Sequence, residues 1–467
     1  MLTQDKSAAL FDKLRRYTTA DEIELLVSGS RSALTRFANN TIHQNVAEES
    51  THISVRVSFG GRTARASTNK HDDESLRRVV QSAEALARVQ QPDDDLLPMP
   101  SPKDVSDNAA NPAVANPQRY FESTARLDAA ERAKIVGEMV AVAQKSHLTA
   151  AGIFSSSEAV EGIFNSRGVT GWYAQTLAEA SITMLNDTSS GWQKANAPDA
   201  GAVNAARLAE VAAQKALDSK SPIELAPGKY TVILEPAAVL DAVGFMFWDF
   251  SGCALLDQRS FLNDRIGTKL FGENITVWDD CYHALQTGVT FDGEGMQRHR
   301  LKLIDKGVVE HVTYSRSSAA RMRASKMSRN VGAVTATGHG FALPNEIGEC
   351  PLNIVFDTSN AGRLQTIEEM VASTERGVLV TRLWYIREVD PYEKILTGMT
   401  RDGTFVVESG KVRRGIRNFR FNESLIHMLQ NVEAMGQVVR STGEESMDMV
   451  VPPMKVRGFN FTEVTKF

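Results

Sequence analysis

The first 220 residues spell one arrangement of elements twice, and nothing else in the chain limits its fold as tightly. In residues 1–90 a helix from Ser7 to Tyr17 precedes alternating apolar and polar positions, which predict strands at 22–27, 33–37, 42–49 and 52–59. Gly60-Gly61 predicts a turn. A helix from Asp73 to Val89 follows, with Leu76, Val79, Val80, Ala83 and Ala87 on one face, suited to packing on a sheet. In residues 119–220 the series repeats. A helix over 129–144 presents Ile135, Val136, Met139, Val140 and Ala143, and Asp128 with Glu131 three places on forms a capping start. Strands are expected at 150–155, 160–165, 168–177 and 179–185, a turn at Ser189-Ser-Gly191, and a helix over 202–217. Phe37 and Phe164 fall at matching points of the two copies.

Between the copies, residues 91–118 are rich in Pro, Asp and Asn, the composition of a surface connector. Ser219-Lys-Ser-Pro222 and Ala226-Pro-Gly228 mark the start of a second domain, 221–467. There, short apolar runs at 352–356, 378–385 and 405–407 are divided by Gly and Asp turn signals, and a helix is expected over 366–374. The predicted class is α+β: a duplicated sheet-plus-helix domain over 1–220, then a mostly β domain.

Bulk properties narrow the function. With 52 basic and 57 acidic side chains the net charge is −5, which argues against electrostatic binding of nucleic acid. No run approaches the roughly 18 apolar residues of a membrane span. The first residues, Met1-Leu-Thr-Gln-Asp-Lys6, hold no apolar signal core, so a cytoplasmic location is expected. Cys253, Cys281 and Cys350 are odd in number and far apart, unlike a disulfide framework.

The C-terminal third carries the most specific motifs. Arg387-Glu-Val-Asp-Pro391, Leu396-Thr-Gly-Met-Thr-Arg-Asp-Gly-Thr-Phe405, Glu408-Ser-Gly-Lys411 and Asn418-Phe-Arg-Phe-Asn-Glu-Ser-Leu425 resemble the TldD/PmbA family. Arg36-Phe-Ala-Asn-Asn-Thr-Ile42, Phe291-Asp-Gly-Glu-Gly295 and Leu303-Ile-Asp-Lys-Gly307 extend the resemblance over essentially the whole chain. Its metal-bearing branch carries His-Glu-x-x-x-His after a strand. Here Leu240, Asp241 and Phe245 stand at those places, and neither leucine nor phenylalanine has a lone pair for zinc. That branch adds a cysteine ligand in a Gly-rich segment near the C-terminus. The corresponding Arg440-Ser-Thr-Gly-Glu-Glu-Ser446 has none. The chain therefore resembles the PmbA (TldE) branch, and no metal or other cofactor is expected.

Other candidates are weighed against plainer roles. The aromatics Phe245, Phe247, Trp248 and Phe250 read as core or dimer contact rather than a substrate cage. Asp279-Asp-Cys-Tyr-His283 holds three ligand types without paired spacing, a weak metal signal. Thr400, Arg401 and Asp402, between two strand-like runs, are either a pinned hairpin turn or a peptide-binding site in which Arg401 grips a carboxylate. Arg387, Glu388 and Asp390 share that ambiguity, with structure favoured. Ser315 to Arg329 has five basic residues and no acid, and reads as a polar loop near a cleft, since a nucleic-acid surface would need a stacking platform. Gly293-Glu-Gly295 and Gly338-His-Gly340 do not open a helix after a strand, so no nucleotide loop is read there.

The resemblance implies a partner: a metal-bearing TldD-type subunit, with which the chain would form a metallopeptidase acting on unfolded peptides, or a second copy of itself. It also implies the family's older association with modulation of DNA gyrase. The rival expectation is a stand-alone homodimer that binds a peptide or small molecule without catalysis. A hydrolase using Asp241 and a nearby histidine without metal ranks below both.

Overall fold

The computed structural model describes residues 1–107, 116–327, 331 and 334–465. The N-terminal region consists of helix α1 (Gln4–Tyr17), strands β1 (Glu22–Ala38), β2 (Thr41–Phe59) and β3 (Arg62–Thr68), helix α2 (Asp73–Val89), short helices α3 (Pro102–Asp107) and α4 (Glu122–Ala125), helix α5 (Ala129–Lys145), strands β4 (Thr149–Asn165), β5 (Thr170–Asn186) and β6 (Ser189–Ala197), and helix α6 (Ala205–Asp218). One antiparallel sheet joins the strands in the order β3-β2-β1-β4-β5-β6.

Several expected strands fuse. The four short strands expected in each half are two long ones, Gly60-Gly61 leads into a third strand, β3, and Ser189-Ser-Gly191, expected as a turn, is the start of β6. Polar stretches such as Ser28 to Ser32 and Ser155 to Glu158 read as breaks. Pairing of β1 with β4 carries both strands straight through them, because sheet context outweighs local propensity.

Helices α1 and α2 pack on one half of the sheet, and α5 and α6 on the other. Phe37, near the end of β1, is buried among the α5–α6 side chains, and Phe164, near the end of β4, is buried among those of α1 and α2. Each central strand thus anchors the opposite half. The connector is held where it is described: Met99 is buried, and the Met99 and Pro100 carbonyls accept bonds from Arg167 and Asn165. Residues 108–115 of it lie outside the described residues.

The C-terminal region begins with β7 (Gly228–Leu234), helices α7 (Pro236–Val243) and α8 (Gly252–Leu256), strands β8 (Val277–Asp279), β9 (Leu301–Asp305) and β10 (Val308–Val309), helix α9 (Arg316–Ala324), β11 (Ile354–Phe356) and helix α10 (Ile367–Ala372). It continues with β12 (Arg376–Asp390), β13 (Ile395–Glu408), β14 (Lys411–Gly415) and β15 (Phe419–Ser424), helix α11 (Leu425–Gln430), and β16 (Val432–Met435), β17 (Val439–Ser441), β18 (Met449–Val451) and β19 (Met454–Val464). Strands β12, β7, β19, β15 and β13 pair in sequence, and β13 pairs back onto β12, closing a ring. Phe419, Phe421, Phe459 and Phe461 pack together within its core, with Phe419 and Phe461 stacked at 4.6 Å. A second sheet, β10-β9-β8-β11-β18-β17, lies alongside. The fold class is α+β, as the sequence predicts.

Candidate functional site

Two places gather the residues of interest. The first is α7, which follows β7 with Pro236 in its first turn. Leu240 is fully buried, and Phe245, one turn on in a 3₁₀ segment, is partly buried against the same core. Asp241 is 1% exposed. Its Oδ2 accepts the Leu383 amide at 3.3 Å, while Oδ1 is buried without a well-formed hydrogen bond. Burial pushes this carboxyl up to about 7, against weaker opposing pulls from the Leu383 amide and Arg382.

The segment 440–446, some 200 residues on in sequence, folds onto this same helix. A Cβ on Gly443 would stand 2.4 Å from Asp241 Oδ1 and 2.7 Å from Leu240 Cδ2, and one on Gly244 would overlap the Ser446 hydroxyl at 1.8 Å. Only glycine permits that approach. The structure thus brings together Leu240, Asp241 and the cysteine-free loop, which sequence spacing alone does not connect. These residues do not fit a zinc ion: one carboxylate with apolar neighbours is short of a ligand set. Among the described residues, no three His, Cys, Asp or Glu side chains converge in a metal-binding group.

The second place is a cleft of about 710 Å³ between the N-terminal sheet and the C-terminal region. Ile53, Val55 and Val57 of β2 point into the helix-covered core, so His52 and Ser54 face the other way and help line the cleft. Phe291, Phe341 and Met447 supply apolar wall from the C-terminal side. Its frame is a buried ionic set. Asp279, at the end of β8, accepts from Arg298 Nη2 at 2.8 Å, and its Oδ1 lies 2.9 Å from His339 Nε2. It also accepts the Leu352 and Asn353 amides at 2.7 and 2.9 Å. Burial would raise the Asp279 carboxyl, but Arg298 and His339 together reverse this and hold it well below the usual range. Burial lowers His339.

A carboxyl pair lies beside this frame. Asp292 accepts the amides of Glu294, Met296 and Gly340 at 2.9, 2.9 and 2.8 Å. A Cβ on Gly340 would meet Glu294 Oε1 at 2.9 Å and Asp292 Oδ2 at 3.2 Å, so the two acids flank one glycine. Burial first, then the charge of Glu294, pushes Asp292 up to about 7. Burial also raises Glu294, against the pull of Arg316. Arg440 spans the two regions, giving Nε to Asn196 at 2.6 Å and Nη2 to Asp448 and Thr287 at 2.8 and 3.1 Å.

Thr400, Arg401 and Asp402 are not on a hairpin tip. They lie inside β13, at an irregularity where Arg401 pairs with Arg382 of β12. Asp402 has φ +53° and is buried, held by Arg382 and, at 2.6 Å, by the Ser190 hydroxyl. Thr400 is buried and accepts the Phe419 amide at 3.0 Å. Both side chains are committed to structure. Arg401 is half exposed, with its guanidinium 4.8 Å from the Trp384 ring centre. None of the three lines the cleft; Asp402 borders a separate recess with Ser189, Ser190 and Ser219. Glu388 pairs with Lys394 at 2.6 Å, Asp390 caps a turn through the Tyr392 and Glu393 amides, and Arg387 donates to the Ile386 carbonyl. Phe247 and Phe250 are core residues, while Trp248 is 50% exposed.

The basic stretch from Ser315 is helical over Arg316–Ala324 rather than a loop, because Ser315 and Ser318 form a reciprocal cap and Ala319 and Met322 reach the core. Its Ser328 and Arg329 lie outside the described residues. Nothing in their sequence spacing joins Asp279, Arg298 and His339 as a set. Their signal was Gly338-His-Gly340 and Phe291-Asp-Gly-Glu-Gly295, where glycines let backbone and carboxyls crowd together.

The chain matches the model of the PmbA/TldA metallopeptidase C-terminal domain over residues 227–463, and that of domain 1 over residues 23–87. It belongs to the TldD/PmbA family. The Metalloprotease PmbA of Escherichia coli O157:H7 is 22% identical over 423 residues, covering 87% of this chain and 85% of that protein. TldE from Thermococcus kodakarensis has the same fold, with a TM-score of 0.83 at 18% identity over 98% of this chain and 100% of that one. A Thermotoga maritima protein that carries the name modulator of DNA gyrase matches with a TM-score of 0.81 at 16% identity, over 98% and 100% of the two chains.

Proposed function

We propose that this chain is the TldE-type, metal-free subunit of a peptidase whose catalytic metal is held by a TldD-type partner. The observation that carries the reading is the meeting of α7 with the loop 440–446, where buried Leu240 and lone Asp241 pack against Gly443. Such a subunit contributes walls rather than chemistry: it encloses unfolded peptide and steadies the partner. Arg401, half exposed beside Trp384, would hold a peptide carboxylate or a partner acid by paired bonds. The domain division at about residue 220 and descent of the two N-terminal halves from one unit belong to the same proposal.

The test is co-purification from the native host with elemental analysis. The expected result is a metal-bearing relative in the complex, and a purified chain that alone lacks stoichiometric zinc and does not cleave unfolded peptide. About one zinc per isolated chain, lost together with cleavage on chelation, would overturn the reading. The 710 Å³ cleft favours a second reading, a homodimeric peptide-binding protein. Tight peptide binding by the isolated chain, with no metal-bearing partner recovered, would select it.

A further inference from the structure

A row of side chains crosses the N-terminal sheet on the face that looks into the cleft. His52 of β2, Ser28 of β1, Glu161 of β4 and Tyr173 of β5 stand directly opposite one another on successive strands. Residues paired in this way share one face, and the first three line the cleft. Neighbouring strands are about 4.8 Å apart, so imidazole, hydroxyl, carboxylate and phenol lie side by side.

Glu161 lacks a partner. The cations that line the cleft are already taken: Arg65 pairs with Glu24 at 2.6 Å, Arg298 with Asp279 at 2.8 Å and Arg440 with Asp448 at 2.8 Å. No hydrogen bond or ion pair joins Glu161 to any described residue. Solvent reaches its side chain from the cleft, yet the walls crowd it enough that burial alone pushes the carboxyl up from its ordinary range, with no cation to offset this. Such a group is best satisfied by a ligand that brings the missing positive charge.

Two neighbours narrow the choice of cation. The Phe291 ring lies over the next rung of the same face, where Ile163 pairs with Gly171 and a Cβ on Gly171 would meet that ring at 3.1 Å. This rung is roughly 7 Å from Glu161 along β4. On the other side, the Tyr173 hydroxyl accepts the Gly288 amide at 3.3 Å, and a Cβ on Gly288 would stand 3.1 Å from Asn353 Oδ1. That oxygen is buried without a hydrogen bond, and Asn353 lines the cleft. An aromatic wall, a free carboxylate and a spare acceptor together match a guanidinium, which is planar, stacks on rings and carries several N–H donors. An ammonium is a compact charge that holds its water more strongly.

We propose that Glu161 binds the guanidinium of an arginine side chain in a peptide lying in the cleft, with Phe291 against its stem and Asn353 as a second acceptor. This rests on peptide entering the cleft, a feature shared by the subunit and homodimer readings, and adds which side chain of the peptide is selected.

Titration of the full chain with short peptides of glycine, alanine and serine, acetylated and amidated at their ends, tests it. One carries a central arginine, another the neutral isostere citrulline, and another lysine. The arginine peptide should bind at least about tenfold more tightly than the citrulline peptide, the worth of one charge-assisted bond, and more tightly than the lysine peptide. Glu161→Gln should erase the difference between arginine and citrulline, leave citrulline binding as it was, and not lower the melting temperature, since it removes a charge without a partner. Equal affinity for arginine and citrulline in the wild type, a preference that survives Glu161→Gln, or lysine bound as tightly as arginine overturns the proposal. So does a larger gain from freeing the amino terminus than from the arginine. Failure to bind any of the peptides overturns it together with the homodimer reading, but not the subunit reading, which co-purification and zinc analysis decide.

Discussion

The α7 site and the cleft between the N-terminal sheet and the C-terminal region both draw acidic groups from distant parts of the chain, yet they are built on different principles. At α7 one carboxyl, Asp241, sits among apolar side chains with an oxygen lacking a well-formed bond, and glycines at 244 and 443 let the neighbouring loop close over it. Beside the cleft three acids have partners: Asp279 pairs with Arg298 and His339, Asp292 accepts three amides, and Glu294 pairs with Arg316. The first place has been closed by packing and the second is held open by paired charge. A buried charge persists only where partners replace its lost hydration, so Asp279 stays ionised between Arg298 and His339 while burial raises Asp241 at α7 to about 7.

The largest test of this contrast lies in the cleft frame. Asp279→Ala leaves Arg298 and His339 without their shared acceptor and should cost about 3–5 kcal/mol in chemical denaturation. A loss under about 1 kcal/mol would show that the cleft is not held by this carboxylate. Next come paired leucines. Leu240→Ala opens a cavity in a closed core and should cost about 2–5 kcal/mol, without altering peptide binding per folded molecule. Leu352→Ala, at a cleft residue that is 39% exposed, should cost under about 1 kcal/mol and yet weaken binding of an unfolded peptide measured by titration. Reversed results for the two would dissolve the distinction.

Protonation separates the sites further. Asp241 is raised in the fold to about 7 from the ordinary carboxylate range near 4. Below that range the acid is neutral in both folded and unfolded chains and has no effect. Between about 4 and 7 the unfolded chain ionises and the folded one resists, so stability falls as pH rises; above 7 the penalty is constant. Asp241→Asn should therefore gain on the wild type across that window, by up to about 1.4 kcal/mol per pH unit, as read from melting curves at several pH values. A parallel offset at all pH values would mean that Asp241 is charged in the fold. The smallest effect is expected at Arg401. Arg401→Ala should change stability by under about 1 kcal/mol while slowing peptide cleavage by the reconstituted pair. A large drop in melting with unchanged cleavage would make Arg401 purely structural.

Helices were the most legible part of the chain. α2 runs over the predicted residues, and the Asp128–Glu131 cap of α5 forms with bonds of 2.8 and 2.9 Å. Strand ends were not, because residues such as Ser30 and Ser156 take their conformation from partners across β1, β2 and β4 rather than from their own propensity. At the candidate site, the apolar character of Leu240 and Phe245 and their burial against one core follow directly from their residue types. That Arg401 points outward while Thr400 and Asp402 point inward does not, since the turn signal of Asp-Gly fits an irregularity within β13 as well as a hairpin tip.

What the sequence determined by itself is whatever depends on neighbours a few residues apart: amphipathic faces, caps, and the family to which the motifs belong. The tertiary structure alone decided which distant segments meet. It set Gly443 against Asp241, His339 and Arg298 on Asp279, and Phe37 and Phe164 each in the other half's core. The physical reason is range. Helical periodicity and turn chemistry act over about one turn of chain, whereas burial and ion pairing are settled by whatever the closed fold places within a few ångströms.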